Sequence, residues 1–168
     1  MKLAALFSAI ALLIPAAACA QEKKPLSPPA KATGTVGNAN ITIDYSAPSM
    51  RGRKIFGGLV PYGKEWRTGA NAATKLTTTG NIKIGDLSVP AGTYTVYTIP
   101  EEGSWTLIVN KQTGQWGTEY NSAQDLGRTK MTVTKISSPV ETFHISLDGG
   151  KLTMEWADTE ASVPITAE

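Results

Sequence analysis

From Asn40 onward the chain alternates apolar and polar residues: Ile41, Ile43 and Tyr45 interleave with Thr42 and Asp44 until Ala47-Pro48-Ser49 ends the run. A period of two sets one face of a strand against a core and the other in water, so this stretch predicts a half-buried strand. The alternation returns at Leu76 and Thr78, and at Ile82 and Ile84 around Gly80-Asn81, with Gly85-Asp86 as a further turn. Val89-Pro90-Ala91-Gly92 then leads into a run of β-branched and aromatic residues over 93–99, and residues 105–109 pair with it across Pro100-Glu101-Glu102-Gly103. Both faces of this hairpin are apolar, which predicts a place in the middle of a sheet. Further strands are expected over 129–136, 140–147, 151–156 and 162–165.

One hairpin sets its own register. Asp148-Gly149-Gly150-Lys151 is a two-residue turn signal. With Asp148 opposite Lys151, Leu147 faces Leu152, Ile145 faces Met154 and Phe143 faces Trp156 on one side. Ser146 then faces Thr153 and His144 faces Glu155 on the other. About eight to nine short antiparallel strands with no helical periodicity predict an all-β domain, a jelly-roll-like or Greek-key β-sandwich. The expected domain spans residues 36–166, after a Pro- and Lys-rich linker over 21–35 and a leader over 1–20.

Two stretches break the alternation. Residues 51–74 (RGRKIFGGLVPYGKEWRTGANAAT) are rich in glycine and carry Phe56, Tyr62 and Trp66; residues 110–128 carry Trp116 and Tyr120. Long ordered loops of this kind are where binding residues tend to sit. The first holds Arg51, Arg53, Lys54, Lys64 and Arg67 against the single carboxylate of Glu65.

Composition adds compartment and excludes classes. With 168 residues, 41% of them hydrophobic, the chain suits one domain with a proper core. Its formal charge of +2 gives no electrostatic reason to propose nucleic acid as a partner. Lys2, an apolar run over 3–14, Pro15 and a row of small residues form the pattern of a secretory signal peptide, which implies export to the periplasm or beyond. No transmembrane span is expected once the leader is removed. Cleavage is expected after Ala20; the alternative is a lipoprotein modified at Cys19, for which Ala16 is a poor fit to the usual larger aliphatic residue. Cys19 is the only cysteine, so the mature domain is expected to have neither disulfide nor thiolate chemistry.

The catalytic inventory is thin. His144, the single histidine, could be oriented by Glu155 for acid–base work, but a cross-strand pair on a wet face explains it as well. Glu101 and Glu102 sit in a hairpin turn and read as a solvated tip. No multi-histidine metal set, G-x-S-x-G elbow or phosphate-binding glycine loop is present, so neither cofactor nor metal is expected. The ligand-binding candidates are Lys54, Tyr62, Trp66, Arg67 and Asn71 of the first loop, with Trp116 of the second closing over them. An indole, a guanidinium fork and an amide together suit sugars or organic anions. In the competing reading Arg67 and Asn71 bond the loop's own carbonyls while Trp66 and Phe56 plug the end of the sandwich.

The run GRKIFGGLVPYGKEWRTGANAAT, followed by PAGTYTVYTIP, WTLIVNK, QWG and LTMEWADTEASVPI, resembles the bacterial exported family known as domain of unknown function 2911, over residues 36–165. The resemblance implies an exported all-β envelope domain and places Lys54, Trp66, Arg67, Gly69 and Asn71 within the family signature. It lends no reaction, cofactor or catalytic residue. The expected function is a binding or scaffold module for a small ligand or an envelope protein. A hydrolase of envelope carbohydrate or peptide, using His144 or Glu65 with Arg67 as electrophilic partner, and a lipid-anchored structural subunit are the alternatives.

Overall fold

The computed structural model describes residues 25–168; the leader, Cys19 and the first residues of the expected linker lie outside the described residues. Nine antiparallel strands make up the domain: β1 Pro29–Val36, β2 Ala39–Ser46, β3 Thr74–Thr78, β4 Ile82–Ile84, β5 Leu87–Val89, β6 Gly92–Pro100, β7 Ser104–Asn110, β8 Asp125–Asp148 and β9 Lys151–Ala167. Their hydrogen-bonded order is β1-β2-β3-β6-β7-β8-β9-β4-β5. The expected all-β antiparallel architecture is thus observed, with one short 3-10 turn at Ser122–Gln124 among the described residues.

The single sheet folds over on itself. The first strand meets the far half of β8 so closely that a Cβ at Gly34 would lie 2.7 Å from Leu147 Cβ. The Ile145 amide donates to the Tyr45 hydroxyl at 3.0 Å, which ties β2 to β8 across the core. At the other end the β4–β5 hairpin, paired through β4 with β9, turns back to place the Asp86 amide on Thr129 Oγ1 of β8. Between these layers Ile41, Ile43, Leu76, Ile84, Leu107, Met154 and Val163 form one core.

The last hairpin follows its predicted register from Asp148↔Lys151 to His144↔Glu155. The ladder then breaks, because Ala157 adopts a φ of 54° and Val140 pairs with Ala157. Phe143 is not cross-paired with Trp156, though their rings still meet at 5.8 Å. The strands expected over 129–136 and 140–147 are one irregular strand, β8, and those over 151–156 and 162–165 are one strand, β9.

A correction concerns the tether. Residues 29–35 of the expected linker are strand, pairing with β2 from Pro29↔Ser46 to Val36↔Ala39. Backbone hydrogen bonds hold this edge strand, in which Ala32 alone is fully buried, so it carries almost no apolar signal. A proline at the first position of an edge strand costs no ladder bond.

The two apolar faces of β6 and β7 have separate covers. Val96, Leu107 and Val109 face the main core, whereas Tyr97 and Ile108, opposite each other in the ladder, are buried outside it. The Tyr97 ring lies against Tyr120 of the second long loop, at 4.8 Å.

Candidate ligand-binding site

The third strand ends beside Val96, which leaves the rest of β6 without a neighbour on that side. The first long loop takes the place. Trp66 exchanges two backbone hydrogen bonds with Thr98, at 2.8 and 2.9 Å, and the Gly63 amide donates to the Pro100 carbonyl. The start of the loop runs along β8 instead: the Met50 amide donates to Glu141 O and the Phe143 amide to Pro48 O. A tight turn follows at Arg51 and Gly52, with φ of 51° and 71°. It is held by Arg53, whose guanidinium donates to the carbonyls of Met50 and Ser49, and by Arg51, which donates to Leu26 O.

The loop's apolar side chains close the end of the core. The Phe56 ring packs 4.9 Å from Trp105, and Trp66 lies 4.9 Å from Phe143 and stacks on Trp156 at 5.7 Å. The Trp66 indole N–H donates to Gly69 O, so its polar handle is satisfied within the loop.

Residues 66–71 are conformationally demanding. Thr68, fully buried and β-branched, has a φ of 53°, and Asn71 has a φ of 60°. Side chains of Thr68's type avoid that region, at a cost of order 1–3 kcal/mol, and such residues cluster at binding and active sites. Thr68 is kept there by Thr74 Oγ1, which donates to its carbonyl at 2.7 Å, and by a 3.1 Å contact with Thr98 Oγ1. At Gly69, φ 153°, a Cβ would sit 2.9 Å from the Ser46 carbonyl oxygen.

The second loop fastens onto the first. The Gly117 amide donates to Asn71 O, the Ala73 amide to Gln115 O, and Ala72 and Trp116 form a bridge. A Cβ at Gly117 would collide with the Arg67 side-chain stem and the Asn71 carbonyl, so only glycine allows this approach. Inside the junction Gln115 Nε2 donates to Thr95 Oγ1 and Tyr97 Oη. The Thr95 hydroxyl spends its own hydrogen on Gln112 O, which fixes the direction of these bonds. The Gln115 Oε1 atom is buried without a partner.

Between the two loops and the chain's entry at Leu26 and Ser27 lies a cleft of about 610 Å³. Its wall includes Arg53, Lys64, Glu65, Trp66, Arg67, Asn71, Tyr97 and Tyr120. Three of the six expected ligand-binding residues, Trp66, Arg67 and Asn71, are therefore brought together. The cleft does not include the other three. Lys54 is exposed, Tyr62 lies over Gly57, and Trp116 points away, 53% exposed, with its neighbour Gly117 in the wall. Tyr97 and Tyr120, not foreseen as site residues, share the wall; the two-sided apolar pattern of β6 was the available signal for Tyr97. His144 is exposed opposite Glu155, outside the cleft wall, and Glu101 and Glu102 are exposed at their hairpin tip. Among the described residues no three His, Cys, Asp or Glu side chains gather as a metal set.

Charge in the cleft is unspent. Among the described residues Lys64, Glu65 and Arg67 take part in no ion pair. The Arg67 Nε is buried with no hydrogen-bond partner. Arg53 bonds the Met50 and Ser49 carbonyls just before the loop and Arg51 the Leu26 carbonyl, so the loop's entry is anchored by arginines other than Arg67. Tyr120, by contrast, is fully engaged: its hydroxyl donates to Asp125 Oδ2 at 2.7 Å and accepts from Arg128, itself paired with Asp125. Burial first, then the hydrogen bond and charge of Asp125, push the Tyr120 hydroxyl up to about 12. Burial also raises Tyr97, helped by the charge of Glu119 and opposed by the hydrogen bond from Gln115.

Fold and site together define an all-β domain with a polar, cationic cleft at the end of its core, roofed by two interlocked loops. The chain belongs to the family described as "Protein of unknown function (DUF2911)", whose model matches residues 27–165. No curated protein and no solved structure matches it.

Proposed function

We propose that this protein is an exported binding module whose end cleft takes a small carboxylate-bearing molecule on Arg67. The observation that carries the reading is Arg67 itself: a guanidinium in the cleft wall, its Nε buried and, among the described residues, without a partner, next to Lys64, which is in no ion pair among those residues. A buried donor left unbonded costs about 1–3 kcal/mol, and a planar carboxylate is the group whose two oxygens match the guanidinium fork. The volume suits a small organic ligand, for which clefts of roughly 300–1,000 Å³ are usual. The demanding backbone at Thr68 and Asn71 supports the same place. Export rests on the N-terminal leader pattern, with Cys19 as the alternative lipid attachment point.

The test is thermal unfolding of wild type and Arg67→Ala with glucuronate and N-acetyl-alanyl-alanine, each against its neutral counterpart, glucose or the peptide amide. A carboxylate-dependent rise in melting temperature, absent in Arg67→Ala, is expected. A variant that melts many degrees lower yet keeps the ligand shift makes Arg67 a structural residue and puts the site elsewhere.

A further inference from the structure

A cleft built for a plain anion would gain nothing from a carboxylate in its own wall, yet Glu65 stands there beside Arg67. The two are placed together by the strand-like pairing of Trp66 with Thr98. An extended backbone sends alternate side chains to opposite sides, so with the Trp66 indole in the aromatic cluster, Glu65 and Arg67 point the other way. Two residues along a strand advance about 7 Å, close enough for long side chains to meet. They are nevertheless not paired with each other, nor is Glu65 paired with Lys64, among the described residues. One wall thus offers a negative and a positive group, neither in an ion pair among the described residues.

We infer that the ligand is zwitterionic, a free amino acid or dipeptide whose carboxylate sits on Arg67 and whose ammonium group sits on Glu65. The inference rests on the carboxylate reading above and adds the second charge to it. Like charges at contact repel, so Glu65 selects against a ligand that brings a carboxylate without a compensating cation. The charged ends of an amino acid or dipeptide are only a few ångströms apart, which fits side chains two residues apart on one strand. Lys64 and Arg53 keep the cleft's net charge positive and steer the carboxylate end in.

Calorimetric titration of the full exported chain with three probes separates the claims: alanyl-alanine, N-acetyl-alanyl-alanine, which lacks the ammonium, and alanyl-alanine amide, which lacks the carboxylate. Alanyl-alanine is expected to bind about fivefold more tightly than either analogue, the scale of one exposed charge pair. Glu65→Gln is expected to remove that advantage over the N-acetyl form and to leave binding of the N-acetyl form itself undiminished. Glu65 is exposed, so the variant is expected to melt with wild type; the three-probe comparison in wild type stands without it. Equal binding of alanyl-alanine and its N-acetyl form overturns the zwitterion and leaves the carboxylate reading in place. Equal binding of the amide overturns both. Absence of heat and of any thermal shift with ~10 mM alanyl-alanine also overturns the inference, since so weak an interaction lies below any useful affinity.

Discussion

Arg67 and Asn71 carry separable roles, and single substitutions can tell them apart. Asn71 sits at a positive φ that glycine also tolerates, so Asn71→Gly removes the amide and keeps the backbone. Its stability is expected to stay within about 0.5 kcal/mol of wild type in a denaturant melt, and any loss of ligand affinity then reports the amide. Gly117→Ala is expected to lose about 1–3 kcal/mol, because the new methyl group meets the Arg67 stem and the Asn71 carbonyl. On the outer sheet face, partial burial raises the Asp44 carboxyl, but the hydrogen bonds and charges of Lys31 and Lys75 outweigh it and hold it below the usual range. A depressed carboxyl stabilises the fold above its unfolded pKa of about 4, and that contribution is lost as pH falls through the lower folded value. Both lysines are half or more exposed, so Asp44→Asn is expected to cost less than about 1 kcal/mol at neutral pH and nothing in strong acid. For Tyr120 the sign is reversed. Its raised hydroxyl favours the fold fully below about pH 10, the unfolded value, and the contribution disappears as pH climbs through about 12. Alkaline melts of Tyr120→Phe should lack that component.

The long first loop is an element in its own right, part sheet extension and part plug. Trp66→Ala is expected to cost about 3 kcal/mol in a denaturant melt, the low end for large buried aromatics because Trp66 is only partly buried, since the indole touches Phe56, Trp105, Phe143 and Trp156. Much of this level was legible from sequence. The glycine pair after Asp148 fixed a register that the structure keeps to His144, and the unusual density of residues 51–74 marked the loop that builds the cleft. The register beyond His144 was not legible, since the break depends on a positive φ at Ala157 and a bond from the Trp156 indole to Glu141 O. The first strand was hidden because edge pairing uses backbone groups that no side-chain pattern announces. Trp66 was expected as a stacking surface or a plug; its ring is held within the aromatic cluster. Trp116 looked like a lid, but its backbone joins the loops while its ring faces outward. Which aromatics share a wall depends on pairings between loops distant in sequence, such as Asn71 with Gly117.

At the scale of the whole molecule the domain is one open antiparallel sheet folded over on itself, with the cleft at one end of its core. The positive charge of residues 51–74 is unevenly used: Arg51 and Arg53 bond backbone carbonyls, Arg53 from the cleft wall, while Lys64 and Arg67 are in no ion pair among the described residues. Stability therefore resides in the core and the aromatic plug, and the proposed binding in the few side chains the plug turns outward. The arginine side-chain Nε–Hε NMR spectrum of wild type and Arg67→Lys, during titration with alanyl-alanine, tests this division most directly. The Arg67 signal, identified by its loss in the variant, is expected to move and saturate with the ligand while the signal of Arg51, which lies outside the cleft wall, stays in place. A ligand that binds without moving the Arg67 signal, or that moves the Arg51 signal instead, would contradict it.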